Sequence, residues 1–423
     1  MHPFPGKNFL ALVCLLLSLG ICRAEPTESR SWTSTAGTSI EAKATGLKNE
    51  TVTLETPSGR SLQVALSQLS PEDQALLKSH FAGQADSAAS EPGAFPYPTG
   101  EISGPIDAKG SHYYVYLPKS LKPGRKVPLI FFTHSGGGGK GDRLGVYREG
   151  AEICGWITAM SVESKNGMDR AQTYPHIKNC HQHLLSTLPI DPKRVYFTGR
   201  SGGSREAFTN AKDFDGAGVL AVIAGAQENE CIRGRHYFFI TGATDFNRYE
   251  MAKSFQRVKA SSAFRLHPGG HSPGPGWLTS EGMVWLESQS LQKNKNAPER
   301  ADFETAIVPW LETMKAKEPY RAAWWVDHFT KLGLQSSDAR ARIEAIGKEC
   351  SATPESATYS AGLADIEKFS LDVLAEGPQY SPECMNHTSD KIQKKADELL
   401  LKHGNTPWIK EVFTSLKKKT GKL

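Results

Sequence analysis

Residues 190–208 read IDPKRVYFTGRSGGSREAF, and this stretch decides the fold. Residues 194–198 are a β-branched and aromatic run, which is typical of a buried strand. Residues 204–212 favour a helix. Between them lies Gly199-Arg200-Ser201-Gly202-Gly203, where the glycines permit backbone angles that other residues rarely adopt. A serine in such a strand-to-helix turn presents its hydroxyl to solvent, so Ser201 is the candidate nucleophile.

The same G-x-S-x-G pattern occurs a second time, at Gly270-His271-Ser272-Pro273-Gly274. The four residues after Ser272 are Pro-Gly-Pro-Gly, which cannot form the helix that such a turn must enter. Because the motif occurs twice, it does not by itself identify the nucleophile. The residues on either side of each copy have to be compared. They favour Ser201 over Ser272.

A glycine-rich loop lies upstream of both copies. Residues 127–133 are an apolar run that predicts a strand, and His134-Ser135-Gly136-Gly137-Gly138-Gly139 follows directly. When a serine attacks a carbonyl, backbone N–H groups stabilise the negative charge that develops on the oxygen. A glycine loop at this place lets the backbone approach the substrate closely. We therefore predict an oxyanion hole formed by the amide of Gly202 and an amide within residues 135–137, with Ser135 and Gly136 as first candidates.

A candidate acid and a candidate base follow the candidate nucleophile along the chain. Asp245 comes just after the predicted strand 236–241, and His271 comes just after the predicted strand 261–266. The expected order along the chain is serine, then acid, then histidine, each beyond the end of a strand. We therefore predict a catalytic triad of Ser201, Asp245 and His271, in which the histidine is the base.

Other residues compete for these roles. Glu228 and Glu230 follow the preceding strand and are alternatives for the acid. His267 lies close to His271 and is an alternative for the base. Three further histidines fall on a predicted helix and are expected on the surface, namely His176, His181 and His183.

Arg200 and Arg205 flank the candidate nucleophile. Arginines there either bind an anionic substrate or pair with structural carboxylates, and the sequence does not choose between these two roles.

The alternation of strand-like and helical runs over residues 113–289 predicts an α/β fold with a largely parallel sheet. Before it, short alternating runs predict a small β-module over residues 30–81, and an Ala/Ser/Gly-rich stretch predicts a linker over residues 82–98. We therefore expect a catalytic domain at residues 99–290 and a helical C-terminal region at residues 300–423.

The first 24 residues read as a secretory signal peptide cleaved after Ala24, so the protein is expected to be secreted or periplasmic, with no membrane span after cleavage. A net charge of +5 in 423 residues is too small to indicate nucleic acid as a partner. Five cysteines then remain, an odd number that leaves at least one unpaired or bonded to another chain. The economical local pairings are Cys154 with Cys180 and Cys350 with Cys384, but the sequence does not fix the connectivity.

Two resemblances to known families add to these predictions. Residues 190–201, the glycine loop and Gly269-Gly270-His271 resemble the polyhydroxybutyrate depolymerase and feruloyl esterase-like branch of the α/β-hydrolases. Residues 30–33, 40–42 and 69–73 resemble the type-one Sla homology domain, a small SH3-like barrel. The first resemblance implies ester hydrolysis through an acyl-enzyme, without metal or organic cofactor. The second implies that the module binds a protein or cell-surface partner.

We therefore expect an exported serine hydrolase that cleaves carboxylic esters, either polymer-derived or carbohydrate-linked. Ser135, the four glycines after it and the long helical tail depart from the resembled branch, so the substrate class stays open. Two alternatives also stay open: a serine peptidase with the same triad, and an inactive hydrolase scaffold used for binding.

Overall fold

The computed structural model describes residues 26–48, 50–81, 95–227, 229–258, 261–351, 353–378 and 389–417. Within these ranges, none of the helices has the length and apolar character needed to cross a membrane. The predicted signal peptide, most of the predicted linker and Cys384 lie outside the described residues. The chain divides into two compact units, Met1–Pro92 and Gly93–Leu423.

The first unit contains a four-stranded antiparallel sheet in the order β1-β2-β3-β4. It is followed by helix α1, Pro71–His80, in which Pro71 is the first residue and the side chain of Ser70 accepts from the amide of Asp73. The core of this unit is built around the fully buried Trp32. This unit is therefore an antiparallel sheet followed by one helix, and its relation to SH3-like barrels stays a prediction. The strands are β1 Arg30–Thr33, β2 Ser39–Lys48, β3 Thr51–Glu55 and β4 Ser61–Ala65.

The second unit is built on an eight-stranded mixed sheet in the order β12-β11-β10-β9-β7-β8-β6-β5. Strands β7 to β12 run parallel to one another, while β6 pairs antiparallel with both β5 and β8. The strands are β5 Ile102–Ala108, β6 Ser111–Tyr116, β7 Val127–His134, β8 Ile157–Ser161, β9 Ile190–Arg200, β10 Gly218–Val222, β11 His236–Gly242 and β12 Ser262–His267.

Helices cover both faces of this sheet. Those within the predicted catalytic domain are α2 Arg148–Cys154, α3 Arg170–Thr187, α4 Gly202–Asp213, α5 Arg248–Val258 and α6 Gly276–Lys293. Those of the predicted C-terminal region are α7 Arg300–Lys317, α8 Pro319–Leu332, α9 Ser337–Cys350, α10 Pro354–Asp372, α11 Asp390–His403 and α12 Pro407–Lys417.

The sheet separates two hydrophobic layers. Successive residues of a strand point to opposite faces, so Phe131 belongs to one layer and Phe132 to the other. We call these the α3 layer, which also holds α4 and α5, and the α2 layer, which also holds α6. Since both faces are covered, the central strands are apolar along their whole length rather than alternating. That explains the continuous apolar run of β7.

The C-terminal helices extend both layers. Apolar residues of α7 to α9 join the α2 layer, and those of α10 to α12 join the α3 layer. Helix α10 also covers the outer edge of the sheet, where Glu367 Oε1 accepts from the backbone amide of Phe264 in β12 at 3.2 Å. An exposed edge strand would offer unpaired N–H groups to other chains, and this contact occupies one of them. The helical region therefore packs on the strand that precedes the predicted base.

The path of the chain creates a crevice at the centre of the sheet. From β7 the chain crosses to β8 on one side and then returns to β9 on the other side of β7. In open α/β sheets, ligands bind beyond the carboxyl ends of the strands at such a reversal. The glycine loop after β7 and Ser201 after β9 flank this crevice.

The predicted pairing of Cys154 with Cys180 is wrong. Both cysteines are free and buried, and they lie in different layers, Cys154 in the α2 layer and Cys180 in the α3 layer. The sheet stands between them, and a disulfide spans only about 4.4–6.8 Å between Cα atoms. Short separation in sequence does not ensure proximity when a strand intervenes.

We expect both thiols to react with iodoacetamide once the purified, non-reduced protein is unfolded in denaturant. Before unfolding they should resist, because burial raises the pKa of Cys154 and of Cys180 and excludes the reagent. Peptide mass spectrometry would detect the two carbamidomethyl groups. A Cys154–Cys180 cross-linked peptide would contradict this packing.

Candidate active site

Ser201 lies at a strained point between β9 and α4, with φ 57° and ψ −124°. Such angles cost about 1–3 kcal/mol for a residue with a side chain. A Cβ added to Gly199 would lie 2.0 Å from the carbonyl oxygen of Gly203, and one added to Gly203 would lie 2.2 Å from that of Thr133. Both glycines are therefore required by close backbone approach, as a nucleophile elbow demands.

Side-chain hydrogen bonds fasten the elbow to the strands on either side. Thr133 Oγ1, near the end of β7, donates to the carbonyl of Gly203 over 2.7 Å. Ser204 Oγ donates to the carbonyl of Ala224 over 2.7 Å and accepts from the amide of Val222 at 3.1 Å. The first turn of α4 is thereby tied to β7 and to the end of β10, which holds the strained turn in place.

The three predicted triad residues form one hydrogen-bonded chain. His271 Nε2 lies 2.9 Å from Ser201 Oγ, and His271 Nδ1 lies 2.9 Å from Asp245 Oδ1. Because a carboxylate only accepts, Nδ1 carries the proton and Nε2 accepts from the serine hydroxyl. The side chain of Asp245 is fully buried, whereas that of His271 is 27% exposed. This is the arrangement in which a buried acid orients a base next to a nucleophile.

The carboxylate of Asp245 is held by further donors. Oδ1 also accepts from the amide of Asn247 at 2.8 Å, and Oδ2 accepts from Thr241 Oγ1 at 3.2 Å. Asn247 Nδ2 donates in turn to the carbonyl of Ile223 at 2.8 Å. The acid loop is therefore joined to the loop after β10, next to the elbow.

The imidazole of His271 is also fixed by packing. The ring of Phe246 stacks on it with centroids 4.2 Å apart and an interplanar angle of 26°. Neither Phe246 nor Asn247 was identified from the sequence, although both are adjacent to Asp245 in the chain. Their position beside the candidate acid is the signal that the sequence offers, whereas their contacts with distant loops form only in the fold.

His267, the rival base, takes no part in this chain. Its Nδ1 accepts from the amide of Gly269 at 3.0 Å, and its Nε2 donates to the carbonyl of Ser272 at 2.8 Å. Burial lowers the pKa of His267, which keeps the ring neutral as these two bonds require. The ring braces the loop that carries His271, so His267 is a positioning residue.

The alternative acids and the alternative nucleophile take no part in the hydrogen-bonded chain of Ser201, His271 and Asp245 among the described residues. Glu230 is 8% exposed, and its two oxygens accept from Thr209 Oγ1 at 2.5 Å and from the amide of Gln227 at 2.9 Å. Glu228 lies outside the described residues. Ser272 lies in the loop between β12 and α6 rather than in a strand-to-helix turn, so its rejection from the sequence agrees with the fold.

The expected surface position of His181 is wrong. It is 8% exposed and packs against the rings of Phe197 and Phe214, at 6.2 and 4.9 Å between centroids. Burial lowers its pKa to about 4. His176 and His183 are half-buried and hydrogen-bonded to the sheet, so the helix that carries all three turns this face inward.

The predicted oxyanion donors differ in whether their backbone amides are already hydrogen-bonded within the protein. The amide of Gly137 donates to the carbonyl of His134 at 2.9 Å, and that of Gly136 donates to His134 Nδ1, also at 2.9 Å. Among the residues that the structure describes, the amides of Ser135 and Gly202 have no acceptor. Ser135 and Gly202 are therefore the open pair, and Gly136 becomes available only if His134 releases it.

A cavity of about 600 Å³ opens beside the elbow and is lined in part by His134, Gly202 and Arg205. Asn166, from the loop after β8, also lines it, and its carboxamide lies so close to Gly202 that an added Cβ would be 1.9 Å from Oδ1. Asn166 thus borders the candidate oxyanion hole, a role that nothing in its local sequence predicts.

The side chain of Arg205 makes contacts within the protein. Its Nε and Nη2 donate to the carboxylate of Glu250 at 2.8 and 2.6 Å, and Nη2 also donates to Asn247 Oδ1 at 3.1 Å. This bidentate pair links α4 to α5. The sequence left this residue open between substrate binding and internal pairing, and the geometry supports internal pairing.

Comparison with known proteins finds neither a protein-family model nor a curated protein that matches the sequence. Solved structures do resemble part of the chain. One is an arylesterase, at 14% identity and TM-score 0.35, covering 52% of this chain and 98% of its own. Another is the S-formylglutathione hydrolase FrmB of Staphylococcus aureus, at 12% identity and TM-score 0.35, covering 46% of this chain and 100% of its own.

A third similar structure is FphF, a fluorophosphonate-binding serine hydrolase of Staphylococcus aureus, at 12% identity and TM-score 0.36, covering 47% of this chain and 99% of its own. The similar structures are thus esterases and serine hydrolases.

We expect Gly203→Ala to destabilise the second unit and to abolish activity. The new Cβ would collide with the carbonyl of Thr133, and such overpacking costs about 1–3 kcal/mol or more. Thermal unfolding followed by circular dichroism would measure the loss. Gly145→Ala is the matched control, since its Cβ would meet nothing within 4 Å. A Gly203→Ala protein with unchanged Tm and activity would show that the elbow does not need this glycine.

Proposed function

We propose that this protein is an exported serine hydrolase that cleaves carboxylic esters through an acyl-enzyme on Ser201. The observation that carries the proposal is the hydrogen-bonded chain from Ser201 through His271 to Asp245, with 2.9 Å at each link. Ser201 lies in a strained strand-to-helix turn, and the backbone amides of Gly202 and Ser135 have no acceptor among the described residues. Export rests on the signal-like residues 1–24 of the sequence.

In the acylation step, Ser201 Oγ attacks the ester carbonyl while its proton passes to His271 Nε2. The new bond places negative charge on the carbonyl oxygen, and in this proposal the amides of Gly202 and Ser135 stabilise that charge. One such donor contributes about 2.7–4 kcal/mol to the transition state. The C–O bond to the alcohol then breaks, and the alcohol leaves with the proton from Nε2. Asp245 stabilises the imidazolium between these transfers.

Deacylation repeats the sequence with water. Nε2 of His271 takes a proton from a water molecule as its oxygen attacks the acyl carbon. The bond to Ser201 Oγ then breaks, and the serine regains the proton. The products are a carboxylic acid and a regenerated hydroxyl, and every step uses side chains and backbone amides of this chain.

For the substrate, we propose a polymer-derived or carbohydrate-linked ester, following the resemblance to polyhydroxybutyrate depolymerases and feruloyl esterases. For the first unit, we propose that it binds a protein or cell-surface partner. A screen of acetyl, butyryl, feruloyl and hydroxybutyrate esters would rank the candidate acyl groups.

We expect Ser201→Ala to lower kcat for p-nitrophenyl acetate about a thousandfold or more, since loss of the nucleophile leaves only binding and oxyanion stabilisation. Ser272→Ala is the control, because the contact of Ser272 with His267 uses its backbone carbonyl. It should keep wild-type turnover. Release of p-nitrophenolate measures both, and a Ser201→Ala protein with full turnover would refute the proposal.

The same assay separates the alternatives. A serine peptidase would cleave peptide anilides at rates comparable with the ester, whereas an esterase should leave them intact. An inactive scaffold would turn over neither substrate.

A further inference from the structure

Arg200 is the last residue of β9 and directly precedes the candidate nucleophile. In the parallel pairing of β7 with β9 it stands opposite His134, the residue that begins the glycine loop. Its side chain shares a face of the strand with Tyr196 and Thr198, which is the face of the α2 layer. Arg200 is half-buried, and its charge acts on His134, which lines the cavity beside the elbow.

Among the described residues, no carboxylate lies within ion-pair distance of Arg200. Its neighbours in sequence and space differ in this respect. Arg194, in the middle of β9, pairs with Glu287 and Glu299, and Arg205 pairs with Glu250. The positive charge of Arg200 is therefore not neutralised within the described part of the chain.

The four acids described around Ser201 and the cavity beside it are already engaged. Asp245 accepts from His271, Glu250 binds Arg205, and Glu230 accepts from Thr209 and Gln227. Glu206 accepts from Ser164 Oγ and pairs with Arg170. Rearrangement of any of these to reach Arg200 would break an existing contact.

The residue opposite Arg200 adds no negative charge. His134 Nδ1 accepts from the amide of Gly136 and from Arg143 Nη1, so the ring is neutral. Burial, together with the charges of Arg143 and Arg200, lowers the pKa of His134 to about 4. Arg143 in turn donates to the carbonyl of Gly137. This side of the crevice is consequently positive at neutral pH.

We propose that Arg200 is a specificity-determining residue that binds a carboxylate on the ester substrate. A half-buried guanidinium without a counter-ion has lost part of its hydration, and a substrate carboxylate would replace it with charge-assisted hydrogen bonds. The substrate class is thus narrowed to esters that carry an acidic group near the scissile bond. This inference rests on the proposed ester hydrolysis at Ser201.

Two pairs of esters test the proposal, each with a charged and a neutral member. Monomethyl adipate and dimethyl adipate place the acid on the acyl side, and 4-acetoxybenzoate and 4-acetoxybenzamide place it on the alcohol side. We expect the wild-type protein to prefer the charged member of one pair, measured as the ratio of kcat/KM values. Arg200→Gln should lower this ratio about tenfold or more, the effect of losing a hydrogen bond to a charged group.

Two further variants make the result specific. Arg200→Lys keeps the charge but not the planar fork, so it should recover part of the preference. Arg233→Gln is the matched control, since Arg233 is exposed and precedes β11 at the amino end of the sheet. It should keep the wild-type ratio. Added salt should weaken the preference of the wild-type protein by screening.

A ratio near one in both pairs would overturn the inference, and so would a preference that Arg200→Gln leaves unchanged. If these results came with turnover that requires Ser201, the proposed function would stand and only the role of Arg200 would fall. Absence of turnover, or turnover that survives Ser201→Ala, would overturn the proposed function and this inference with it.

Discussion

The backbone at Ser201 is the constraint on which the site depends. A φ of 57° on a residue with a side chain is stable only because Gly199 and Gly203 allow the strand and the helix to approach within van der Waals distance. That turn directs Oγ toward His271 and leaves the amide of Gly202 at the free start of a helix. A Cβ at either glycine would separate the elements that hold the hydroxyl in place.

The rest of the second unit keeps the partners of Ser201 in position. Asp245 and His271 extend from the ends of β11 and β12, the two strands at one edge of the sheet. The C-terminal helices cover that edge, since Glu367 accepts from the amide of Phe264 in β12 and the rings of Trp408 and Trp277 lie 5.0 Å apart between centroids. The helical tail thus supports the base loop, and His267 braces the same loop from within.

The sequence predicted the main strands and identified the three residues whose side chains form the hydrogen-bonded chain, because each of these has a strong local signal. The triad residues each stand just beyond an apolar run, and the order of serine, acid and histidine is visible without knowing the fold. Strand β5 was missed since Pro105 interrupts its pattern, although an edge strand tolerates a proline. The contacts of Phe246, Asn166 and His267 could not be predicted, because each joins loops that meet only after the sheet has formed. The Cys154–Cys180 pairing failed for the same reason: proximity in the chain did not reveal that a sheet lies between them.

The central claim is that Ser201 is a nucleophile activated by His271. The most direct test is incubation of the purified protein with a fluorophosphonate, followed by digestion and tandem mass spectrometry. The account predicts a single phosphonyl adduct on the peptide that contains Ser201. An unmodified protein under conditions that label a control esterase, or an adduct on Ser272, would contradict it.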